Sequence, residues 1–170
     1  MDNIKVLIDE KTLLKRVKEI AKEIENDYKD KEINLICILK GSIMFTSDLA
    51  RNINKSVHID FLRVSSYINN KSKNISFVKG LLPEIKDKDI ILIEDIIDSG
   101  KTMNFLVPFL NKMKPKSIKV CTLLDKPSRR THPFEADYTG FKIEDKFVLG
   151  YGMDYNQEYR NLKFIGYKEK

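Results

Sequence analysis

Residues 89–102 read DIILIEDIIDSGKT, and this stretch decides which fold the chain can adopt. The consecutive apolar residues Ile90 to Ile93 are typical of a strand that is covered on both faces of a parallel sheet. Two carboxylates and two isoleucines follow, and the segment Asp98 to Thr102 then opens a helix. Free backbone amides at a helix N-terminus, together with the hydroxyls of Ser99 and Thr102, suit an anion. The stretch therefore predicts a buried strand that leads into a phosphate-binding turn.

The same pattern recurs on both sides of this stretch and predicts an α/β fold. The predicted segments are a helix over 13–24 capped by Asp9 or Thr12, a strand over 35–39, a helix over 44–53, a strand over 57–64, a helix over 105–113 that Pro108 should bend or displace, and a strand over 118–124. Alternating strands and helices favour a mainly parallel sheet with helices on both sides. Such sheets bind ligands at the carboxyl ends of their strands, so the site is expected in the loops after Leu39, Ile93 and Leu124.

The composition restricts the class of protein. A chain of 170 residues with 42% apolar and 33% charged residues is expected to form one domain over 1–170. Cys37 and Cys121 lack the spacing of a zinc site or a disulfide framework, and no apolar run is long enough to cross a bilayer. We therefore expect a cytoplasmic protein with no membrane partner. The net charge of +6 favours anionic partners, and both phosphorylated metabolites and nucleic acid remain open.

The acidic pair Glu94 and Asp95 distinguishes between two kinds of phosphate site. A nucleotide-binding P-loop ends as this chain does at Gly100 to Thr102, but it needs a glycine where this chain has Asp95. Two carboxylates beside a phosphate would repel it unless they face hydrogen-bond donors or a positive charge. The hydroxyls of a ribose and a magnesium ion provide both, so residues 94–102 are interpreted as a site for a ribose 5-phosphate.

This segment resembles the phosphoribosyl-pyrophosphate signature of type I phosphoribosyltransferases, and the chain from about Leu35 to Tyr167 is similar to their hypoxanthine-guanine branch. The motifs that carry the resemblance are Leu39-Lys40-Gly41, Ser66-Tyr67, the signature itself, DKPSRR at 125–130 and FVLGYGMDYNQEYRNL at 147–162. The resemblance implies the type I phosphoribosyltransferase fold: a mainly parallel central sheet flanked by helices, with a small hood formed by the C-terminal strands and the N-terminal segment. It also implies magnesium-dependent transfer of a 5-phosphoribosyl group from its pyrophosphate to hypoxanthine or guanine, in a homodimer or homotetramer.

The resemblance further implies which residues bind phosphoribosyl pyrophosphate. The family binds pyrophosphate through backbone amides at the segment matching Lys40 and Gly41, often after a non-proline cis peptide bond, and through the arginine matching Arg160. The residues implied for the ribose and its 5-phosphate are Glu94, Asp95, Ser99, Gly100, Lys101 and Thr102. Magnesium would be held by Glu94, Asp95 and Asp154, because this cation prefers a few carboxylate oxygens together with the phosphates of its substrate.

The purine pocket, the catalytic residue and the lid are implied in the same way. Lys126 would donate to the exocyclic oxygen of a 6-oxopurine, Phe147 would stack on the base, and the backbone of Val148 would read its edge. Asp98 matches the family residue that accepts a proton from the purine. Ser66 and Tyr67 would belong to a lid that excludes water, although residues 68–75 lack the glycine-containing Ser/Thr run usual there. The polar run over 69–74 predicts a mobile loop.

Two other functions fit parts of the pattern. A phosphoribosyltransferase-like regulator would keep the phosphate site and bind nucleic acid, which the net charge would suit. Such a regulator has no need of Lys126, Phe147, Asp154 and Arg160, so nucleic acid is not the expected partner. A transferase for adenine or orotate is disfavoured by Lys126, because the amino group of adenine would oppose a second donor.

Four further polar residues stand outside the predicted catalytic set. Arg129 and Arg130 either rim the site or are solvated. His58 and His132 belong to no catalytic pattern, so a surface or core role is expected for both.

Overall fold

The computed structural model describes residues 4–69, 72–77 and 83–168. The strands are β1 (Ile4–Ile8), β2 (Ile33–Leu39), β3 (Val57–Asn69), β4 (Ser72–Phe77), β5 (Asp89–Ile97), β6 (Ser117–Asp125), β7 (Tyr138–Lys142), β8 (Val148–Leu149) and β9 (Ile165–Lys168). The helices are α1 (Glu10–Asp27), α2 (Ile43–Arg51) and α3 (Lys101–Asn111), with a short 3-10 helix at Pro127–Arg129. Within the described residues, no helix combines the length and the apolar character needed to span a membrane.

The central sheet has six strands in the order β4-β3-β2-β5-β6-β7. Strands β3, β2, β5, β6 and β7 are parallel, and β4 pairs antiparallel with β3 at one edge. The apolar residues of β2 and β5 are almost all buried, as their continuous runs predict for central strands. The predicted α/β fold with a mainly parallel sheet is confirmed.

Helices cover both faces of this sheet because alternate side chains of each strand point to opposite faces. Leu35 of β2 packs in one apolar cluster with the buried faces of α1 and α2, whereas its neighbour Ile36 packs in a second cluster with α3. The cap of α1 is Asp9 rather than Thr12, since the Asp9 carboxylate accepts a hydrogen bond from the backbone N–H of Thr12 at 2.9 Å.

A second, small sheet joins the two ends of the described chain. Its order is β1-β9-β8, and β9 is antiparallel to both neighbours. These strands form the hood expected from the C-terminal strands and the N-terminal segment.

Three boundaries lie more than three residues from the sequence-based expectation. Strand β5 continues past Ile93 to Ile97, because these last residues still pair with β6 after the pairing with β2 has ended at Ile93. The predicted loop over 69–74 is in large part strand: Asn69 ends β3, residues 72–74 belong to β4, and the two strands pair through backbone hydrogen bonds that need no apolar alternation. Helix α3 begins at Lys101, ahead of the predicted start, and holds Pro108 in its interior.

Candidate active site

Most of the residues predicted for phosphoribosyl pyrophosphate, together with Asp98 and Asp154, line two adjoining cavities at the carboxyl ends of β2 and β5. The smaller cavity, of about 80 Å³, is lined by residues of the turn that joins β5 to α3, Asp98, Ser99, Gly100 and Thr102 among them. The larger one, of about 350 Å³, is lined by Lys40, Gly41, Arg63, Asp95, Asp154, Gln157 and Arg160 together with apolar neighbours. Glu94 lines both cavities, so the acidic pair lies between them.

The turn over 98–102 leads from β5 into α3 and is held by a segment that the sequence did not point to. Gly100 caps α3 with a left-handed backbone, φ 81°, and a Cβ atom there would overlap the carbonyl oxygen of His132. The carbonyl of Ser99 accepts hydrogen bonds from the backbone N–H groups of Thr131 at 3.1 Å and His132 at 3.0 Å. The side chain of His132 is exposed, as expected for a surface residue, and its backbone supports the turn over 98–102.

Glu94 and Asp95 form a closely coupled acidic pair. Glu94 is 8% exposed, and burial, followed by the charge of Asp95, raises the pKa of its carboxyl well above the ordinary value. Its Oε1 accepts a hydrogen bond from the backbone N–H of Asp95 at 3.3 Å, and Asp95 Oδ1 accepts one from the N–H of Ile96 at 2.9 Å. Since a neighbouring cation or hydroxyl donor would favour the charged form of both groups, the pair suits the magnesium ion and the ribose diol that the sequence implies.

The segment after β2 packs directly against the acidic pair and against the C-terminal loop. The peptide bond between Leu39 and Lys40 is cis, as in the family that the motif resembles. A Cβ atom at Gly41 would overlap the carboxylate of Asp95, and a Cβ atom at Gly152 would overlap the carbonyl oxygen of Gly41. Glycine at positions 41 and 152 therefore allows the segment after β2 to contact both Asp95 of β5 and the C-terminal loop.

The loop over 154–160 brings Arg160, the cation predicted for pyrophosphate, to the larger cavity, where the side chain of Lys40 also lies. Arg160 forms an ion pair with Asp154, with Nη2 and Oδ1 2.7 Å apart, and donates from Nη1 to the carbonyl of Gly152 at 2.7 Å. The side-chain oxygen of Gln157 accepts hydrogen bonds from Lys40 Nζ at 3.2 Å and from Arg160 Nη2 at 3.3 Å. Gln157 was missed in the sequence, where it stands in the matched motif as an uncharged residue with no evident role.

The carboxylates proposed for magnesium lie on the larger cavity without forming a closed protein site. Asp154 is engaged by Arg160, whereas Glu94 and Asp95 project from β5. Among the described residues, no three His, Cys, Asp or Glu side chains form a group that could hold a metal. One or two carboxylates that act with substrate phosphates are the usual magnesium arrangement at phosphate sites, so these residues fit the cation.

The residues predicted for the purine come from two parts of the structure, the end of β6 and the start of β8. Lys126 is 7% exposed and donates its backbone N–H to the carbonyl of Ile97 at 3.0 Å. Phe147, in contrast, is 59% exposed and meets the ring of Tyr155 edge-on, with centroids 5.7 Å apart. Val148 follows at the start of β8, where it pairs with Tyr167 of β9. An exposed aromatic ring held by a second ring provides a surface on which a flat base can stack.

Asp98 and the two arginines that the sequence left open are linked. Arg129 Nε donates to Asp98 Oδ1 at 3.3 Å, and its Nη1 lies 3.4 Å from Asp145 Oδ2. Arg130 donates to the carbonyl of Asp98 at 2.6 Å and forms an ion pair with Asp125. Both arginines therefore belong to the rim of the site, one on the side chain of Asp98 and the other on its backbone.

The predicted lid residues lie in a strand and not in a loop. Ser66 and Tyr67 belong to β3, where their backbones pair with Ile75 and Asn74 of β4. The placement of their side chains is outside what the structure describes. The lid role of both residues stays a prediction.

Comparison with known proteins shows which family the chain resembles in sequence and fold. A family model of the phosphoribosyl transferase domain matches residues 4–156. The chain is 45% identical over 164 residues to the hypoxanthine-guanine phosphoribosyltransferase of Bacillus subtilis, covering 95% of this chain and 91% of that protein. It is 41% identical over 167 residues to the hypoxanthine phosphoribosyltransferase of Escherichia coli, covering 96% and 94%. A crystal structure of a hypoxanthine-guanine phosphoribosyltransferase from Bacillus anthracis superposes with a TM-score of 0.93 at 44% identity, over 99% of this chain and 100% of that chain.

Proposed function

Because the chain belongs to the phosphoribosyl transferase family, we propose that it is a purine salvage enzyme of the hypoxanthine-guanine branch. It transfers the 5-phosphoribosyl group from phosphoribosyl pyrophosphate to hypoxanthine or guanine, and the products are IMP or GMP and pyrophosphate. The relatives that support this assignment cover nearly the whole chain and share more than two fifths of its residues.

One structural observation carries the proposal. Glu94 lies between a cavity lined by the phosphate-binding turn and a cavity lined by Lys40 and Arg160. This order of a phosphate site, an acidic pair and a cationic site follows the order of groups in phosphoribosyl pyrophosphate. The 5-phosphate is assigned to Ser99, Gly100, Lys101 and Thr102, the ribose hydroxyls to Glu94 and Asp95, and the pyrophosphate to Lys40, Gly41 and Arg160.

The chemistry at the larger cavity is stabilisation of the leaving group. As the bond from the anomeric carbon to pyrophosphate breaks, the electron pair stays on the pyrophosphate oxygen and the sugar gains positive charge. Lys40 and Arg160 place cationic donors where that negative charge develops, and the amide of Gly41 adds a neutral donor. Magnesium, when held by Glu94, Asp95 and Asp154, supplies further charge neutralisation on the pyrophosphate oxygens.

The base is recognised and deprotonated by residues at the end of β6, at the start of β8 and in the β5–α3 turn. Lys126 donates to the 6-oxo group, Phe147 stacks on the purine, and backbone groups of Val148 read the edge of the base. The ring nitrogen forms the new bond to the anomeric carbon, and Asp98 accepts the proton that this nitrogen loses. Ser66 and Tyr67 belong to the segment that closes over the reacting atoms and keeps out water, which would hydrolyse the activated sugar.

The same proposal includes the extent of the domain, the oligomeric state, the cofactor and the location of the protein. The chain acts as one phosphoribosyltransferase domain over 1–170, as a homodimer or homotetramer, and magnesium is its cofactor. A cytoplasmic location is supported by Cys37 and Cys121, which are both buried and unpaired. The alternative of a nucleic-acid-binding regulator is not supported, since the relatives named above are transferases and the described residues include both the proposed purine and pyrophosphate groups.

The deciding experiment is an assay of the purified protein with phosphoribosyl pyrophosphate, magnesium and each of five bases: hypoxanthine, guanine, xanthine, adenine and orotate. Turnover of hypoxanthine or guanine, with little on adenine and none on orotate, is the expected result. Absence of turnover on both 6-oxopurines, or co-purified RNA seen in the absorbance spectrum, would contradict the proposal.

A further inference from the structure

Gln157 links two of the three cationic residues that line the larger cavity, Lys40 and Arg160, through one neutral oxygen, and the third is Arg63. Its Oε1 accepts from Lys40 Nζ at 3.2 Å and from Arg160 Nη2 at 3.3 Å. Lys40 and Gln157 are 117 positions apart in the chain, and both line the larger cavity. Two donors that converge on one acceptor mark a point in the cavity where an oxygen is bound by both.

The backbone conformation at Gln157 is fixed by a hydrogen bond within the loop over 154–160. Gln157 has a left-handed backbone, φ 69°, and its N–H donates to the Oδ2 atom of Asp154 at 2.9 Å. The other oxygen of Asp154 pairs with Arg160. Substitution of the Gln157 side chain keeps the backbone hydrogen bond, so the effect of the amide oxygen can be separated from that of the loop.

The strength of a hydrogen bond from Lys40 or Arg160 depends on the charge of the oxygen that accepts it. A phosphoryl oxygen carries negative charge and makes stronger hydrogen bonds to ammonium and guanidinium groups than a neutral amide oxygen does. Under the function proposed above, on which this inference rests, Lys40 and Arg160 bind pyrophosphate. Their bonds to Gln157 must then break for pyrophosphate to take both donors.

We propose that Gln157 is a positioning residue whose amide oxygen occupies a pyrophosphate oxygen position in the resting site and is displaced when pyrophosphate or phosphoribosyl pyrophosphate binds. The bridge holds two like charges at a fixed separation before the substrate arrives. It also lowers the apparent affinity for pyrophosphate by the fraction of molecules in which the bridge is closed. Re-formation of the bridge assists release of pyrophosphate after the transfer.

The charge of the bridging group determines how readily it is displaced. The amide of Gln157 is neutral and exposed, so its bonds to the cations are weak enough to exchange. A carboxylate of the same length would pair with both cations and compete with pyrophosphate for them. A methionine has nearly the same length but provides only a weak acceptor, so both cations would lose this bond, while Arg160 would keep its ion pair with Asp154.

The test is calorimetric titration of the magnesium-loaded protein with pyrophosphate, for wild type, Gln157→Met, Gln157→Glu and Asn156→Asp. We expect Gln157→Met to bind pyrophosphate about two- to fivefold more tightly, because no bridge has to open. We expect Gln157→Glu to bind it about tenfold or more weakly, as a charged pair replaces a neutral one. Asn156→Asp adds the same charge at the neighbouring exposed residue, which also has a left-handed backbone, and should change the affinity less than about twofold.

Steady-state kinetics and unfolding curves complete the test. Gln157→Met should lower the KM for phosphoribosyl pyrophosphate and the inhibition constant of pyrophosphate together, at an unchanged unfolding midpoint. Weaker pyrophosphate binding by Gln157→Met, comparable to the loss in Lys40→Met, would show that Gln157 is a direct ligand and overturn the proposal. Equal affinities of wild type, Gln157→Met and Gln157→Glu would also overturn it. Failure of the wild type itself to bind pyrophosphate would instead contradict the proposed function.

Discussion

The carboxylate of Asp95 packs against the α-carbon of Gly41, so closely that a Cβ atom on Gly41 would overlap its Oδ2 atom. This contact joins the segment after β2, which is assigned to pyrophosphate, to the acidic pair on β5, which is assigned to the ribose. Because the overlapping atom is the end of a side chain, the conflict can be relieved by rotation of Asp95 without a change in the backbone.

We therefore expect Gly41→Ala to fold normally and to lose activity on the order of 10²-fold, since a displacement of about 1 Å at a reacting centre has effects of that size. The measurements are kcat/KM for phosphoribosyl pyrophosphate and the thermal unfolding midpoint. Gly152→Ala is the matched control: its Cβ atom would meet the backbone oxygen of Gly41, and its φ of 100° disfavours any side chain. The Gly152→Ala control should lose about 1–3 kcal/mol of stability. A similar loss of stability in Gly41→Ala would show that rotation of the Asp95 side chain does not relieve the overlap.

Glu94→Gln should stabilise the protein at neutral pH while it impairs substrate binding. Burial, and then the charge of Asp95, raise the pKa of Glu94, so between the unfolded and the folded pKa the folded protein binds a proton that the unfolded chain has released. Stability contributed by this protonation is fully present below the unfolded pKa and is lost as the pH rises through the folded pKa. Glutamine keeps the acceptor for the Asp95 N–H without a charge, so the variant should exceed the wild type in urea unfolding at pH 7.5 and match it near pH 4. An equal difference in unfolding free energy between Glu94→Gln and the wild type at both pH values would show that the charge of Glu94 is not the cause.

Asp98→Asn should preserve the fold and the binding of phosphoribosyl pyrophosphate but lower turnover by about 10²–10⁴-fold, because an amide cannot accept the proton of the purine. Single-turnover rates isolate the chemical step. Arg129→Lys and Arg129→Ala test the contact at 3.3 Å between Arg129 and Asp98: the alanine variant should be slower than the lysine variant, at an unchanged KM for phosphoribosyl pyrophosphate. An Asp98→Asn variant with wild-type single-turnover rates would remove Asp98 from its assigned role.

Lys126→Ala should damage recognition of the base more than recognition of the sugar. Loss of a charge-assisted hydrogen bond to the 6-oxo group corresponds to about 1.5–3 kcal/mol, or roughly 10- to 100-fold in kcat/KM for hypoxanthine and guanine. Adenine should gain relative to hypoxanthine, because its amino group no longer opposes a donor. The KM for phosphoribosyl pyrophosphate serves as the internal control, and a rise in this constant alone would place Lys126 on the phosphate side.

Arg160→Ala should weaken phosphoribosyl pyrophosphate and pyrophosphate by about 10- to 100-fold and leave IMP binding nearly unchanged, since the nucleotide carries no pyrophosphate. Calorimetry with the three ligands measures this difference. Arg160 also donates to the carbonyl of Gly152 at 2.7 Å, so Arg160→Lys, which keeps the charge, is the companion variant. Equal weakening of all three ligands would indicate a disturbed loop and not a lost ligand.

Much of the fold was predictable because its determinants are local in the sequence. The apolar runs of β2 and β5 are continuous over most of their length, and a strand with apolar residues on both faces is stable only where helices cover both. The turn from β5 into α3 was predictable for the same reason, since Ser99, Gly100 and Thr102 are neighbours in the chain. The first part of β3 was predicted, but its pairing with β4 was not, because residues 65–74 are mostly polar and the two strands pair through their backbones.

The rest of the site was decided by tertiary structure. The contact of Gly41 with Asp95, the bridge from Gln157 to Lys40 and the pairing of Arg129 with Asp98 join residues far apart in the sequence. Such contacts depend on strand order and register, which the packing of the whole sheet determines and which no short pattern encodes. The sequence by itself determined the residue types that can bind a phosphorylated sugar, and the fold alone decided which of them share one cavity, because only the packed sheet brings the ends of β2, β5 and β6 together.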